Sequence, residues 1–251
     1  MRGVPAGFAD CVTAVPPDPP LDVGTARLQH DGYVAALESG GFSVESVPVD
    51  DDQPDSSFVE DAAVVIGERG LVTRPGHESR RGEVGPVAVA LARHLQLDRV
   101  GEPAVIDGGD VLRIGDRIFV GLSGRTNRAG VDAVAAVAES QGITVVAVPV
   151  RETLHLKSGV SAIGDDAVLW HPAACESGVF DSLAVIEVPG DDPEAANVVR
   201  LADGRILVAD HHLATVDLLA DRGIDVVATD VSEFARAEGG LTCLSIRLRW
   251  E

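Results

Sequence analysis

The chain repeats one short pattern four times: an apolar segment, a turn centred on glycine with aspartate or glutamate, and a second apolar segment. The copies are EDAAVVIGERGLVTR (60–74), DGGDVLRIGDRIFVGLS (107–123), KSGVSAIGDDAVLWHP (157–172) and NVVRLADGRILVAD (197–210). Turn residues between β-branched and apolar runs are typical of β-hairpins. The hairpins recur at intervals of 40 to 50 residues, so we expect one structural unit to repeat along the chain.

The segments between the hairpins predict one helix and one further strand for each unit. Apolar residues recur at three- and four-residue spacing in 25–40, 80–97, 127–142 and 211–223, while 172–183 is a weaker helix. A short apolar run, which we read as a strand, follows each helix, at 43–49, 98–106, 143–150, 183–189 and 225–231. The predicted unit is therefore strand, strand, helix, strand.

This repeat favours an α/β ring closed on itself. About five units fill the chain, with the first and last sharing one unit across the termini. A doubly wound sheet is the competing fold, but it has about one strand per helix, whereas three accompany each helix here. No stretch resembles a linker, so we predict a single domain over 1–251. The proline-rich patch at 15–22 is predicted to be a surface loop near the axis of the ring.

The formal net charge of −20 limits the partners of the chain. Such an acidic surface repels nucleic acid and anionic lipid, and it favours the approach of small cations. No apolar run is long enough to span a membrane, and the first residues do not resemble a signal peptide. The three cysteines are far apart and suggest neither a disulfide framework nor a zinc site. We therefore expect a cytoplasmic protein.

A ring of hairpins brings distant residues together near its axis, and the hairpin ends carry reactive side chains. The candidates are Glu60, Asp61, Asp107, His155 and Cys243. A thiolate attacks electrophilic carbon, an imidazole transfers protons to the leaving group, and carboxylates orient the imidazole or hold a cation. Cys243 lies in GGLTCLSIRL (239–248), which predicts a final strand, and a lone cysteine beside a strand is more often a buried core residue than a nucleophile.

Five motifs resemble the signatures of one enzyme family in order and separation. They are SSFVEDAAVV (56–65), RPGHESRRGEV (74–84), IDGGDVLRIGDRIFVGLSGRTN (106–127), LHLKSG (154–159) and GGLTCLS (239–245). The chain resembles the dimethylarginine dimethylaminohydrolases, in the guanidino-group-modifying superfamily, over about three quarters of its length. The resemblance implies the pentein fold, a five-bladed α/β propeller of ββαβ units. It also implies a hydrolase that converts N-methylated arginine to citrulline and a methylated amine.

The resemblance also implies a role for each matched residue. Cys243 would be the nucleophile that forms a covalent thiouronium, His155 the acid and base, and Asp107 the group that binds and positions the guanidinium. The substrate would be bound by Asp55, Glu60, Asp61, Arg80, Arg125 and the backbone of Ala237. Arg80 and Arg125 match the arginines that bind the α-carboxylate, and Asp55, Glu60 and Asp61 match positions that grip the guanidinium and α-amino ends. This chemistry requires no metal and no cofactor.

Two other functions stay open from the sequence. Arginine deiminases resemble this chain but carry His-x-Asp where it has His155-Leu156-Lys157, and the missing carboxylate leaves room for N-alkyl groups. Deimination of arginine or another guanidino compound is therefore the alternative. A non-catalytic binder, like the ribosome anti-association factor that shares the propeller, would lack the cysteine, histidine and acid. The expected partner is a small guanidino amino acid, and the sequence does not decide whether the chain forms a homodimer.

Overall fold

All four predicted hairpins are present in the computed structural model, which describes residues 1–248. Twelve strands form four three-stranded sheets within these residues. The strands are β1 Ala63–Ile66, β2 Arg69–Val72, β3 Gln96–Arg99, β4 Val111–Ile114, β5 Arg117–Leu122, β6 Thr144–Pro149, β7 Val160–Ala162, β8 Ala167–Trp170, β9 Ala184–Glu187, β10 Val199–Arg200, β11 Ile206–Ala209 and β12 Val226–Thr229.

The four sheets share one topology. In each sheet the second strand of the hairpin is central, antiparallel to the first strand and parallel to the third. A parallel third strand requires a crossover connection, and in three of the sheets a helix supplies it. The predicted order of strand, strand, helix and strand is therefore confirmed for these units.

Five α-helices lie within the described residues: α1 Val23–Ser39, α2 Val84–Leu91, α3 Arg128–Glu139, α4 Leu213–Ala220 and α5 Ser232–Arg236. Side-chain caps begin two of them, because Asp22 accepts a hydrogen bond from Thr25 N at 2.7 Å and Asn127 accepts one from Gly130 N at 2.9 Å. The weak helix predicted over 172–183 is only a 3₁₀ turn, Ser177–Phe180. The strand predicted over 43–49 is a single bridge between Arg2 and Val47.

Glycines allow two of the hairpins to turn in two residues. Gly67 begins the turn between β1 and β2 with φ of 57°, and Gly115 begins the turn between β4 and β5 with φ of 56°. Residues with a Cβ rarely adopt this backbone conformation, which matches the twist of the flanking strands. The IGER and IGDR sequences therefore explain why these hairpins are tight.

Short 3₁₀ turns lie at the start of each repeat and contact one another. Those in the described residues that begin a unit are Val59–Ala62, Gly108–Asp110, Leu156–Ser158 and Pro193–Ala196, and Leu241–Leu244 occupies the corresponding place near the end. The turn Val59–Ala62 contacts both Gly108–Asp110 and Leu241–Leu244, and the turn Leu156–Ser158 contacts Gly108–Asp110 and Pro193–Ala196. Residues from distant parts of the chain are thereby brought together.

Apolar packing between neighbouring units forms the core. On α3, Val131, Val134 and Ala138 are buried against Ile118 and Val120 of β5. Near the termini, Phe8, Phe58 and Phe234 form an aromatic cluster with ring centroids 5.3 to 6.1 Å apart. Because aromatic side chains bury a large apolar area, this cluster stabilises the contact between Phe8, near the beginning of the chain, and Phe234, near its end.

The prediction that GGLTCLSIRL forms a final strand is wrong. Cys243 lies in the 3₁₀ turn Leu241–Leu244, and residues 245–248 have no strand partner. The apolar side chains of Ile246 and Leu248 still pack against a buried cluster, which explains why the segment has the composition of a strand. No helix within residues 1–248 is both long and apolar enough to cross a membrane.

Candidate active site

The turn Val59–Ala62 presents two buried carboxylates, Glu60 and Asp61. Both oxygens of Asp61 are engaged: Oδ1 accepts the backbone N–H of Gly109 at 2.8 Å, and Oδ2 accepts Nη1 of Arg80 at 2.6 Å. Burial raises the pKa of Asp61, but the charges of His155 and Arg80 and these hydrogen bonds outweigh it and lower the pKa to about 2. Asp61 is therefore a fixed negative charge.

Glu60 differs from Asp61 in keeping one oxygen without a donor. Its Oε1 accepts Nζ of Lys157 at 2.6 Å and lies 3.9 Å from Nη2 of Arg247. Its Oε2 is buried and has no hydrogen-bond partner among the described residues. Burial raises the pKa of Glu60, and the two cations oppose that shift. Because a buried acceptor without a donor is unfavourable, Glu60 is suited to bind an N–H group from outside the protein.

Asp107 and His155 form a buried pair from two different repeats. His155 Nε2 lies 3.1 Å from Oδ2 of Asp107, whose Oδ1 accepts the backbone N–H of Gly76 at 2.8 Å. Asp107 is 0% exposed. The resemblance implies that Asp107 binds and positions a guanidinium; in this structure its carboxylate contacts the imidazole, and such a contact orients the ring.

The surroundings of His155 favour the protonated imidazole. Burial alone lowers its pKa, but the charges of Asp61, Asp110 and Asp107 and the hydrogen bond with Asp107 outweigh burial and raise the pKa to about 9. The ring therefore carries a proton at neutral pH. An imidazolium in this position can donate a proton to a leaving group.

Cys243 is half-buried in the turn Leu241–Leu244, which contacts the turn that carries Glu60 and Asp61. Burial first, and then the charges of Glu60 and Asp61, raise the pKa of the thiol above its usual range. The opposing charge of Lys157 is a smaller influence. In the absence of another cation the sulfur is therefore a thiol, and a bound cation beside the two carboxylates would favour the thiolate.

The two predicted arginines are placed differently. Arg80 is buried, with Nη1 on Asp61 and with Nε and Nη2 on Glu83, while Nη2 also donates to the carbonyl of Phe58 at 3.0 Å. All three guanidinium nitrogens of Arg80 therefore donate to acceptors of the protein. Arg125 is 16% exposed at its side chain, and its Nη1 lies 3.7 Å from an oxygen of Asp107. The guanidinium of Arg125 makes no hydrogen bond within residues 1–248, so it is available to an anion.

Two predicted substrate contacts lie at the edge of this cluster. Both oxygens of Asp55 face the backbone N–H of Val12, at 3.1 and 3.3 Å, so the carboxylate holds the loop that leads into the proline-rich patch. Ala237 is buried and ends α5, where its N–H donates to the carbonyls of Glu233 and Phe234. The structure therefore brings Asp61, Asp107, His155 and Arg80 together, with Glu60 beside Asp61 on the same turn, while the carboxylate of Asp55 and the backbone of Ala237 are engaged elsewhere.

Glycines allow the turns to approach closely. A Cβ on Gly109 would lie 2.6 Å from Nδ1 of His155. A Cβ on Gly239 would meet the ring of Phe58, and a Cβ on Gly240 would meet the amide of Asn197. These two glycines therefore serve packing within the protein.

Sequence reasoning missed two buried polar residues beside the cluster. Asp110 accepts the backbone N–H of Leu156 at 2.9 Å and the hydroxyl of Ser123 at 2.6 Å. Asn197 was read only as the start of a hairpin. The available signals were that DGGD contains a second acid and that the chain has just two asparagines.

One group of side chains in the described part of the chain has metal-binding spacing. Ligand atoms of Asp61, Asp107 and His155 lie within 4.8 Å of one another. The carboxylates already accept hydrogen bonds from Gly109, Arg80 and Gly76. A metal ion would therefore have to displace or share these donors.

Comparisons with known proteins identify the relatives of this chain. The family model described as arginine deiminase matches residues 44–194 and 190–249. The dimethylarginine dimethylaminohydrolase of Streptomyces coelicolor is 46% identical over 91% of this chain and 88% of that protein. The enzyme of the same name from Pseudomonas aeruginosa is 30% identical over 90% of this chain and 89% of its own length.

Solved structures show the same fold. A cysteine-to-serine mutant of the Pseudomonas aeruginosa enzyme, complexed with citrulline, superimposes with a TM-score of 0.91, 28% identity, and coverage of 98% of this chain and 97% of that one. The N-terminal domain of a cyanobacterial arginine dihydrolase shares the fold with a TM-score of 0.87 at 20% identity, covering 98% and 95% of the two chains. With a relative at 46% identity over nearly its whole length, the chain belongs to the dimethylarginine dimethylaminohydrolase family.

Proposed function

We propose that this chain hydrolyses N-methylated arginine to citrulline and a methylated amine, with Cys243 as the nucleophile. The observation that carries the proposal is the buried Oε2 of Glu60. It has no donor among the described residues, and the charge of Glu60 reaches the thiol of Cys243. A guanidinium that donates to this oxygen would bring its central carbon and its positive charge to the sulfur.

The proposed substrate fills the remaining unpaired groups. Glu60 Oε2 accepts a guanidinium N–H, and Asp61 supplies a second fixed negative charge. Arg80 and Arg125 are assigned to the α-carboxylate, and the guanidinium fork of Arg125, which makes no hydrogen bond within residues 1–248, matches a carboxylate. Asp55 and the backbone of Ala237 bind the α-amino end. In the free protein Asp55 holds Val12 N–H, so its contact with substrate is linked to the position of that loop.

The first chemical step is attack of the thiolate on the guanidinium carbon. The substrate cation compensates Glu60 and Asp61, which otherwise raise the pKa of the Cys243 thiol, so the thiol releases its proton to solvent and the nucleophile forms when substrate is bound. The tetrahedral adduct then expels dimethylamine, which takes its proton from His155, and an S-linked thiouronium remains on Cys243.

The second step is hydrolysis of the thiouronium. His155, now without its proton, accepts a proton from water as the water attacks the same carbon. The carbon–sulfur bond breaks as the hydroxyl proton of the adduct passes to the sulfur, and citrulline and the free cysteine thiol are released. Asp107 acts on His155 by orienting the ring and stabilising its charged form, as their 3.1 Å contact supports. No metal is assigned to either step.

The released amine tests this function against deimination. We expect citrulline and dimethylamine in equal amounts from asymmetric dimethylarginine, and little ammonia from unmodified arginine. Cys243→Ser should lose this turnover. Release of ammonia from arginine at the higher kcat/KM would instead show a deiminase, and undiminished turnover by the serine variant would contradict the mechanism.

The number of blades and the extent of the domain are also proposals. We infer five blades in one domain over 1–251, with residues 249–251 outside the described part of the chain. Four sheets of one topology, the bridge between Arg2 and Val47, and the chain of contacts between 3₁₀ turns support a fifth blade built from both termini.

The three free thiols and the net charge of −20 support a cytoplasmic enzyme that binds a small guanidino amino acid and no nucleic acid. Sedimentation would determine whether it is a homodimer.

A further inference from the structure

Asn197 connects the segment that carries the cysteine with the segment that carries the histidine. It follows the turn Pro193–Ala196 and is 4% exposed. Its Oδ1 accepts the backbone N–H of Thr242 at 3.0 Å, and its Nδ2 donates to the carbonyl of Lys157 at 3.0 Å and to Oγ1 of Thr242 at 3.3 Å. Thr242 immediately precedes Cys243, and Lys157 is two residues after His155.

Gly240 gives the asparagine room to make these contacts. A Cβ on Gly240 would lie 2.5 Å from both Cγ and Nδ2 of Asn197, closer than side-chain atoms approach in proteins. The carbonyl of Gly240 in turn accepts the backbone N–H of Cys243 at 3.2 Å. The position of the nucleophile therefore depends on a contact between a glycine and the amide of another repeat.

Asparagine is suited to this place by its chemistry. An amide offers an acceptor and two donors on one rigid plane and carries no charge. Aspartate could accept from Thr242, but it could not donate to the carbonyl of Lys157, and it would add a third charge near the Glu60 and Asp61 pair. Alanine would leave a buried N–H and a buried carbonyl without partners.

We propose that Asn197 is a positioning residue that holds the turn of Cys243 against the segment of His155 in reacting geometry. This inference rests on the proposed roles of Cys243 and His155. Asn197 makes no contact with the reacting atoms in the proposal. Its effect is on the distance between the sulfur and the imidazole, to which covalent catalysis is sensitive.

The first test compares Asn197→Ala with Asn127→Ala. Asn127 is the only other asparagine in the chain, and its side chain also makes three hydrogen bonds, to Val105 N, Gly130 N and the carbonyl of Pro103. We expect Asn197→Ala to lower kcat by about tenfold to a hundredfold with little change in KM. Asn127→Ala should lose stability but keep kcat within about twofold. Equal loss of kcat in both variants, or none in Asn197→Ala, would overturn the proposal.

A double-mutant cycle with Gly240→Ala tests the contact itself. Gly240→Ala alone should lower kcat, because the new methyl displaces the Asn197 amide. In the Asn197→Ala background the same substitution should have a clearly smaller effect, because the amide is already absent. Effects on kcat that simply add would show that Gly240 and Asn197 act independently, against the proposal.

Alkylation of Cys243 by iodoacetamide separates this inference from the proposed function, because it needs no substrate turnover. The pH midpoint of alkylation depends on Glu60, Asp61 and Lys157, which face the thiol. We expect Asn197→Ala to shift this midpoint and Asn127→Ala to leave it in place. Asn197→Leu, which keeps the volume without the hydrogen bonds, repeats the test if the alanine variant does not fold. Failure of the wild type to release citrulline would reject the proposed function, whereas unshifted alkylation in both Asn197 variants would reject the positioning role.

Discussion

At the scale of single residues, the site gathers buried acids around a thiol. Glu60 and Asp61 raise the pKa of Cys243, while Arg80 and His155 lower that of Asp61. A bound cation would therefore neutralise the charge of the acids and lower the pKa of the thiol. In the proposed mechanism, recognition of the substrate and activation of Cys243 are therefore one event.

Glu60→Gln should change two rates in opposite directions. We expect kcat/KM for asymmetric dimethylarginine to fall about tenfold to a hundredfold, because a charged hydrogen bond to the substrate is lost. Alkylation of Cys243 by iodoacetamide should become faster at neutral pH, because the leading charge that raises the thiol pKa is removed. Glu68→Gln, an exposed turn residue, is the control and should change neither rate. Slower or unchanged alkylation in Glu60→Gln would contradict this account of the thiol.

The pKa of His155 predicts how stability depends on pH. Because its pKa is raised to about 9 in the folded chain and is about 6.5 when unfolded, the folded state binds more protons between these values. Its contribution to the free energy of unfolding is complete below about pH 6.5 and is lost as the pH rises through 9. Urea titrations from pH 6 to 10 should show this loss in the wild type and a flatter profile in His155→Gln. An equal slope in both would assign the pH dependence to other groups.

At the scale of elements, the hairpins position the short 3₁₀ turns that carry the chemistry. Each reactive side chain lies in or beside such a turn, just before a strand or near the chain end. Regular strands behind the turns provide rigidity, and irregular backbone in front of them allows close approach. This division explains why small changes in the turns should affect activity more than changes in the strands do.

Two glycine substitutions with opposite expected effects on the free energy of unfolding test the roles of these elements. Gly115 needs φ of 56° in the turn between β4 and β5, so Gly115→Ala should destabilise the fold by about 1 kcal/mol. Gly32 is exposed within α1, where a Cβ would meet only Thr229 at 3.8 Å, so Gly32→Ala should stabilise the fold by about 0.5–1 kcal/mol. Both should keep kcat, since neither residue touches the site. Chemical denaturation measures the free energies, and the same sign for both would contradict the assignment.

The repeat was predictable from the sequence because turn glycines and apolar periodicity are local signals. The four hairpins and the strands after α2, α3 and α4 followed from them, whereas the strand predicted after α1 is only a single bridge. The last strand was predicted wrongly, because LSIRL has strand composition although its apolar side chains pack from irregular backbone. The Asp107–His155 pairing and the contacts of Asn197 are tertiary, since they join residues 48 and 45 positions apart. No local sequence pattern indicates which distant residue such a side chain contacts.

At the scale of the whole molecule, the net charge of −20 should assist capture of a cationic substrate. We expect kcat/KM for asymmetric dimethylarginine to fall as ionic strength rises from about 0.01 to 0.15 M, because the screening length shortens from about 30 to 8 Å. The alkylation rate with neutral iodoacetamide is the control and should change much less. A kcat/KM independent of salt would mean that the surface charge serves another purpose, such as solubility.

The central claim is that Cys243 forms a covalent intermediate with a guanidinium carbon. Its most direct test is acid quenching of the enzyme during turnover of asymmetric dimethylarginine, followed by mass spectrometry of the intact chain and its peptides. The account predicts that the peptide containing Cys243 gains the mass of the substrate less dimethylamine, and that the Cys243→Ser chain gains nothing. Turnover with no adduct on Cys243, together with citrulline formation by the serine variant, would contradict it.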